Sequence, residues 1–268
     1  MAQAQASRGD SLTKKLRNYS VKYVKISENE MSYSRSLVKD YIEDQIMVYC
    51  RRNSTLPILR LEYTGSVYER LKTEAADEVD VMVVLKTTKS EVVVEDSGVR
   101  VPGYVRLRAR SDSKFRAYAS AAGYINPERL RNGWFYGLVV QAVNNFSARN
   151  VNMVVRAHGP AVQLDIVRKG TNAKLLSADL VPSFQTGPDS YYVAKPYKGR
   201  RQVSNRDLLW RQSFSLKEKG ILEYMDRDHG CRHELLRIVK TIVKRNPTYF
   251  GSLESYHLKT AFMHYMKK

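Results

Sequence analysis

Apolar Met31, Leu37, Val38, Tyr41, Ile42, Ile46 and Tyr49 recur at helical spacing and predict a long helix over about residues 29–52. Ser27-Glu28-Asn29-Glu30 precedes it with the Ser-x-x-Glu form of a capping box, whose side chains satisfy the first free amides. Val79-Asp-Val-Met-Val-Val-Leu85 is β-branched and alternating, which makes a strand. Strand patterns also cover 59–63, 92–94, 103–110, 151–156, 161–167 and 176–182. Between them, Asn126-Pro127-Glu128 supplies an N-cap and a proline at the first helical position. Trp134, Leu138, Ala142 and Phe146 follow at helical spacing, so this segment reads as a helix across a sheet. The polar, basic stretch 195–206 reads as a surface loop, and after Phe214 the pattern turns helical through 215–226, 231–245 and 254–266. The expected class is α+β, a mixed twisted sheet with a long N-terminal helix, then a helical second lobe. The domain expectation is a flexible segment over 1–20, a core lobe over 21–190 and a helical lobe over 191–268.

Composition narrows the function. The chain has 268 residues, 43% hydrophobic and 27% charged, near globular averages, which excludes disorder. No stretch approaches the roughly 20 apolar residues of a membrane span, and the first residues lack the basic and apolar regions of a signal peptide. Two cysteines, Cys50 and Cys231, make no disulfide framework, so the cytoplasm is the expected compartment and no membrane partner is expected. Subtracting 27 acidic from 45 basic side chains leaves +18, beyond what solubility needs, so the expected partner is a polyanion. Nucleic acid comes first and an anionic surface second. The solvent side of the 29–52 helix carries Arg35 and Lys39, Arg51 and Arg52 close its C-terminal end, and Lys22 and Lys25 lie on its approach. The plain alternative for these residues is a solvated face.

The candidate chemistry lies near Thr64-Gly65-Ser66, between a strand and a short helical stretch, where glycine lets a phosphate approach backbone amides. By itself Gly-Ser is an ordinary turn. Glu78-Val79-Asp80 sharpens it, because residues i and i+2 of a strand share one face and sit roughly 7 Å apart, close enough to share divalent cations. The alternative is the polar outer face of an edge strand. Hard oxygen ligands suit Mg2+, with Mn2+ as the other candidate ion. A third carboxylate is then wanted, and Asp165 and Asp179 both qualify, lying nearly opposite each other if 169–172 form a hairpin turn. Pattern alone does not choose between them.

Taken together, these segments resemble the cyclic GMP–AMP synthase (cGAS)-like receptors, the male-abnormal (Mab) family of the nucleotidyltransferase superfamily. Gly65-Ser66 followed by Glu78-x-Asp80 matches the family's G-S and [DE]-x-D motifs. Gly159-Pro-Ala-Val162 and Ala178-Asp-Leu-Val-Pro182 look like the strands leading to its third aspartate, and Trp210-Arg-Gln-Ser-Phe-Ser215 and Ser255-Tyr-His-Leu-Lys-Thr260 resemble two later motifs. The resemblance implies a bilobal, magnesium-dependent enzyme that joins two nucleoside triphosphates into a cyclic dinucleotide on sensing double-stranded nucleic acid, with ATP and GTP as the expected substrates. It implies Glu78, Asp80 and Asp179 as catalytic metal ligands, Gly65, Ser66 and Ser255 at phosphates, and Tyr256 as a base-stacking platform. Arg211, Ser213 and Ser215 would hold the acceptor nucleotide, and Lys240 would reach a donor phosphate. An aromatic such as Tyr256 also serves as core, and a lysine such as Lys240 also serves as a solvated helix residue.

Two departures from the family pattern matter. The zinc insert of the vertebrate enzyme should fall between Phe214 and Lys240, where only His229-Gly-Cys231-Arg-His233 occurs, so zinc is not expected. The chain also stops 12 residues after Tyr256, where the family usually continues, so the second lobe is expected to be partial. Absence of the zinc insert implies double-stranded RNA rather than DNA, bound through Lys22, Lys25, Arg35, Lys39, Arg51 and Arg52. The competing readings are a non-catalytic binding or scaffold member of the same fold, and a nucleotidyltransferase that extends a linear chain.

Overall fold

The computed structural model describes residues 2–96, 99–200 and 202–266. By backbone contacts these divide into a helical unit (1–33, 66–76 and 218–268) and a sheet unit (34–65 and 77–217). This division differs from the sequence expectation. Strands β8 (Ser190–Val193) and β9 (Leu209–Ser213), assigned to the second lobe, belong to the sheet. Within the N-terminal segment, α1 spans Ala2–Tyr23.

Helix α2 (28–53) matches the predicted long helix, with a π-helical middle, Val38–Ile46. Its cap is half the predicted box. The Ser27 hydroxyl accepts from the Glu30 amide at 3.1 Å, while the Glu30 carboxylate accepts instead from the Ala76 amide at 2.8 Å.

Among the described residues, the sheet unit holds nine strands. β1 (Ile58–Thr64), β2 (Glu78–Leu85), β3 (Val92–Glu95), β4 (Tyr104–Ala109), β5 (Val151–His158), β6 (Ala161–Arg168) and β7 (Lys174–Gly187) occur near their predicted places. The order is β1-β2-β7-β8-β9-β4-β3, with β5 and β6 branching from β7. Only β2 and β7 run parallel among the pairings of these strands. β8 and β9 escaped the sequence pattern because Ser190-Tyr-Tyr-Val193 and Leu209-Trp-Arg-Gln-Ser213 lack the β-branched run that marks the equally short β3.

Helix α4 (127–144) packs against β6 and β7 and against α2. Its entry is the predicted one, since the Asn126 side chain accepts from the amides of Glu128 and Arg129, each at 2.9 Å. Under the sheet, Phe184 meets Phe115 and Trp210 edge to face, with ring centroids 4.9 and 5.1 Å away. Trp210 is fully buried and donates its indole N–H to the Ile125 carbonyl at 2.8 Å, which satisfies its one polar atom. The 195–206 stretch has no strand or α-helix among its described residues; Arg201, part of that predicted loop, lies outside them.

In the helical unit, α3 (Gly65–Tyr68) leads into the 66–76 segment, followed by α5 (Ser215–Glu223), α6 (Arg232–Arg245), α7 (Pro247–Phe250) and α8 (Ser255–Met266). Leu71, Leu222, Met225, Leu236 and Met263 form the core of this unit. The His229-to-His233 segment is the turn into α6. Asp226 accepts from the amides of Arg232 and His233 at 2.7 and 3.1 Å and meets His233 Nδ1 at 2.8 Å. Burial works against the Asp226 charge, but these His233 and Arg232 contacts outweigh it and lower its pKa.

Asn126→Ala should cost about 1 kcal/mol, because two helix-start amides lose their acceptor. Asn126→Ser, which keeps an acceptor without placing a carboxylate beside Asp207, should unfold closer to wild type. Urea denaturation midpoints of the three proteins check the expectation.

Candidate active site

Strand pairing brings the carboxylates together. β2 and β7 run parallel in a register that pairs Asp80 with Asp179 and Glu78 with Ser177. Adjacent strands lie about 4.8 Å apart, so Glu78, Asp80 and Asp179 share one sheet face. Glu78 and Asp80 are exposed while Val79 and Val81 between and beyond them are buried, as alternation demands.

The hairpin over 169–172 forms, with the Asn172 amide donating to the Arg168 carbonyl at 2.9 Å. The two aspartates are nonetheless not opposite. Asp179 pairs with Gln163, and Asp165 pairs with Ser177. Asp165 is almost completely buried and is bound to the Arg156 guanidinium and the Ser177 hydroxyl. Its carboxylate is committed to the fold. Asp179 keeps part of its surface open, accepts from Gln163 Nε2 at 3.1 Å and lies 3.5 Å from His158 Nδ1. Gln163 and His158 carried no sequence signal, since their place beside Asp179 depends on the β5–β6–β7 register.

Gly65 ends β1 with φ +78°, a left-handed conformation that favours glycine. A side chain there would run into the Asp80 carboxylate. Gly65 and the acidic strand are thus built against each other, and the Ser66 carbonyl accepts from the Leu71 amide at 2.8 Å.

Arg211 is half-buried on β9, paired with Tyr104 and Val193. The Ser213 and Ser215 hydroxyls lie 3.1 Å apart at the start of α5. In the helical unit, Lys240, Lys244, Ser255 and Tyr256 line one cavity of about 400 Å³ with Val243, Leu253 and Leu258. Lys240 is no solvated helix residue. It is buried, donates to the Leu71 carbonyl at 2.7 Å, and burial depresses its pKa to about 8. Tyr256 is not a core residue either, with 43% of its surface exposed.

The Mab-21 protein nucleotidyltransferase domain matches residues 67–224. The chain is 57% identical over 263 residues to cyclic GMP-AMP synthase-like receptor 3 of Stylophora pistillata, covering 95% of this chain and 76% of that protein. This chain belongs to the cGAS-like receptors. It is also 27% identical over 235 residues to the mitochondrial dynamics protein MID51 of Danio rerio, and 23% identical over 253 residues to a cyclic GMP-AMP synthase-like receptor of Ctenocephalides felis. These alignments cover 84% and 76% of this chain, and 50% and 56% of the two relatives.

Nucleotidyltransferases of this kind typically use divalent metals. Glu78, Asp80 and Asp179 offer hard carboxylate oxygens, the donor chemistry such an ion takes, on one sheet face, with Asp80 close against Gly65. Among the described residues, no group of three or more His, Cys, Asp or Glu side chains stands close enough to hold a metal as arranged.

Of the six basic residues expected to face nucleic acid, all are exposed. Lys39 is engaged, with its ammonium 2.9 Å from Asp44 and 3.5 Å from Glu43, and the hydrogen bond to Asp44 raises its pKa. Lys22 lies 5.0 Å from the Tyr23 ring centroid. No described helix is long and apolar enough to cross a membrane.

Sequence reasoning missed one charged cluster. Lys259 pairs with Glu69 at 2.9 Å and with Glu218 at 2.8 Å. Burial opposes its charge, yet the two carboxylates outweigh burial and raise its pKa. Lys259 stands in the Ser255–Thr260 motif, the only sequence signal it offered.

Lys240 makes stability depend on pH. Its native pKa of about 8 lies below the ordinary 10.5, so between those values the unfolded chain holds a proton that the native protein has released. Its contribution to stability should rise with pH across that window. Lys240→Met removes the contribution, so the wild-type stability relative to this variant should climb from about pH 8 towards pH 10.5 in urea titrations.

Proposed function

We propose that this protein is a cyclic dinucleotide synthase of the cytoplasm that joins ATP and GTP when double-stranded RNA binds it. The observation that carries the reading is the register pairing of Asp80 with Asp179, with Glu78 two residues along the same face. Glu78, Asp80 and Asp179 would hold Mg2+, with Mn2+ as the other candidate. Bound there, the ions supply charge neutralisation at the oxygens that attack and leave the α-phosphorus. The Gly65 backbone and the Ser66 hydroxyl contact phosphate. Lys240 serves as a point charge for the donor phosphates and Ser255 donates a hydroxyl beside it, a role their shared cavity supports. Tyr256 offers an exposed ring face to a base, and Arg211, Ser213 and Ser215 hold the acceptor nucleotide.

Lys22, Lys25, Arg35, Arg51 and Arg52 are proposed to contact RNA phosphates, with Lys39 weakened by its acidic neighbours. Regular duplex RNA is read through phosphates and 2′-hydroxyls, so length rather than sequence sets activation. A second reading is a catalytically silent binding member of the fold. Against it stands the retention of Gly65, Ser66 and all three carboxylates. Linear-chain synthesis is the third outcome a product assay would reveal.

The test is incubation of the purified protein with all four nucleoside triphosphates and Mg2+, with and without double-stranded RNA or DNA, followed by mass analysis of products. A cyclic dinucleotide made only with RNA supports the proposal; no product, or a linear product, overturns it. Asp179→Asn should lower product formation by at least about 100-fold without unfolding the protein, because one ligand of the charge-stabilising set is gone. Asp165→Asn should instead lower the unfolding midpoint, since Arg156 and Ser177 lose their partner.

RNA affinity should fall steeply with salt as counterions are released. Arg35→Glu with Arg52→Glu should weaken binding and reduce the salt slope by about one unit per lost phosphate contact, measured by filter binding across salt concentrations. Unchanged binding would remove α2 from the RNA surface.

A further inference from the structure

The helical unit buries a charged cluster that the reaction proposed above leaves without a role. Lys259 Nζ donates to both carboxylate oxygens of Glu69, at 2.9 and 3.1 Å, and lies 2.8 Å from Glu218 Oε2. The side chains of Lys259, Glu69 and Glu218 are only 12, 3 and 11% exposed. Two carboxylates and one ammonium, with the buried Lys240 ammonium also within reach of the Glu69 charge, are costly to remove from water. A fold needing only a filled core would be served as well by apolar side chains of the same size.

The positions of the three residues suggest what else they serve. Glu69 directly follows α3, the helix that Gly65-Ser66 opens. Glu218 lies in the first turn of α5, three residues after Ser215. Lys259 lies three residues after Tyr256 on α8. Tyr256 is tied to two of them, as its hydroxyl donates to Glu218 Oε1 at 3.3 Å and the Lys259 ammonium lies 5.6 Å from its ring centroid. An exposed tyrosine without such ties must be ordered when a ligand binds, which weakens binding.

We propose that Lys259 is a positioning residue for nucleotide binding, which clamps Glu69 and Glu218 and thereby holds the Tyr256 ring in its base-stacking orientation. The proposal rests on the reading of Tyr256 as a nucleobase platform. Lys259 touches no substrate in this scheme. It acts by setting where Tyr256 stands before the nucleotide arrives, and Glu218 transmits that setting through the tyrosine hydroxyl.

The test separates folding from positioning. Lys259→Met alone should lower the melting temperature, because it leaves two buried carboxylates without a counter-charge. The triple variant Lys259→Met, Glu69→Leu, Glu218→Leu removes these three charges together and should melt above Lys259→Met alone, although Lys240 loses the neighbouring Glu69 charge. It should still bind ATP and GTP about tenfold more weakly in calorimetry with Mg2+, a loss within the range of one base–aromatic stack. In product assays the loss should appear in KM, with kcat within about threefold of wild type. A second pair does not depend on the triple variant folding. Glu218→Gln keeps an acceptor for the Tyr256 hydroxyl and should preserve nucleotide affinity within about threefold, whereas Glu218→Leu should lower it about tenfold. Wild-type affinity in the triple variant, or equal affinities in the two Glu218 variants, would overturn the positioning role and leave the nucleotidyltransferase reading intact. A wild-type protein that binds neither ATP nor GTP would overturn both.

Discussion

The parallel pairing of β2 with β7 is the constraint on which the acidic site depends. Parallel strands cannot be joined by a tight turn, and here the connection runs through β3 to β6 and α4 before the chain returns. That long excursion places Asp179 beside Asp80, about a hundred residues earlier in the chain. Like charges side by side on a sheet repel. The structure offsets this partly through Gln163 and His158 at Asp179, and a divalent cation would complete the compensation. A one-residue slip in the register would turn Asp179 to the opposite face, which is why the buried alternation on both strands matters to the chemistry.

Charge is handled in opposite ways elsewhere in the molecule. Most of the surplus behind +18 lies in exposed lysines and arginines, which cost little to hold and suit a polyanion. Inside the helical unit, Lys240 is buried and Lys259 is nearly so. Lys259 stays charged because Glu69 and Glu218 surround it, while Lys240 has a backbone carbonyl as its close partner and a depressed pKa. One lysine therefore serves as a fixed ionic clamp. The other is poised to gain from an approaching anion, because burial outweighs the Glu69 charge that acts on it.

Belonging to the cGAS-like receptors explains why the same short motifs recur here in order, and the physical reading explains why each needs its residue types. Gly65 is required by a left-handed φ beside the Asp80 carboxylate. Trp210 is required by a buried volume with one acceptor, the Ile125 carbonyl. Ser213 and Ser215 sit together where β9 gives way to α5, so their hydroxyls are held by the backbone on both sides.

Local pattern was enough for the long helix, for seven of the strands and for the Asn126 cap, because helical spacing, strict alternation and side-chain capping are encoded within a few residues. The same locality exposed Glu78 and Asp80 as a pair on one face. It failed where partners are remote in sequence. β8 and β9 carry no β-branched run to announce them, and joining the sheet gives them their conformation. Asp165 and Asp179 look alike in sequence, but Arg156 and Ser177 occupy the first while the second lies beside Asp80. The Glu69–Lys259–Glu218 cluster joins residues 190 positions apart, which no local pattern encodes. Which carboxylate is available for chemistry is a question of burial and register, and both come into being only when distant strands and helices pack.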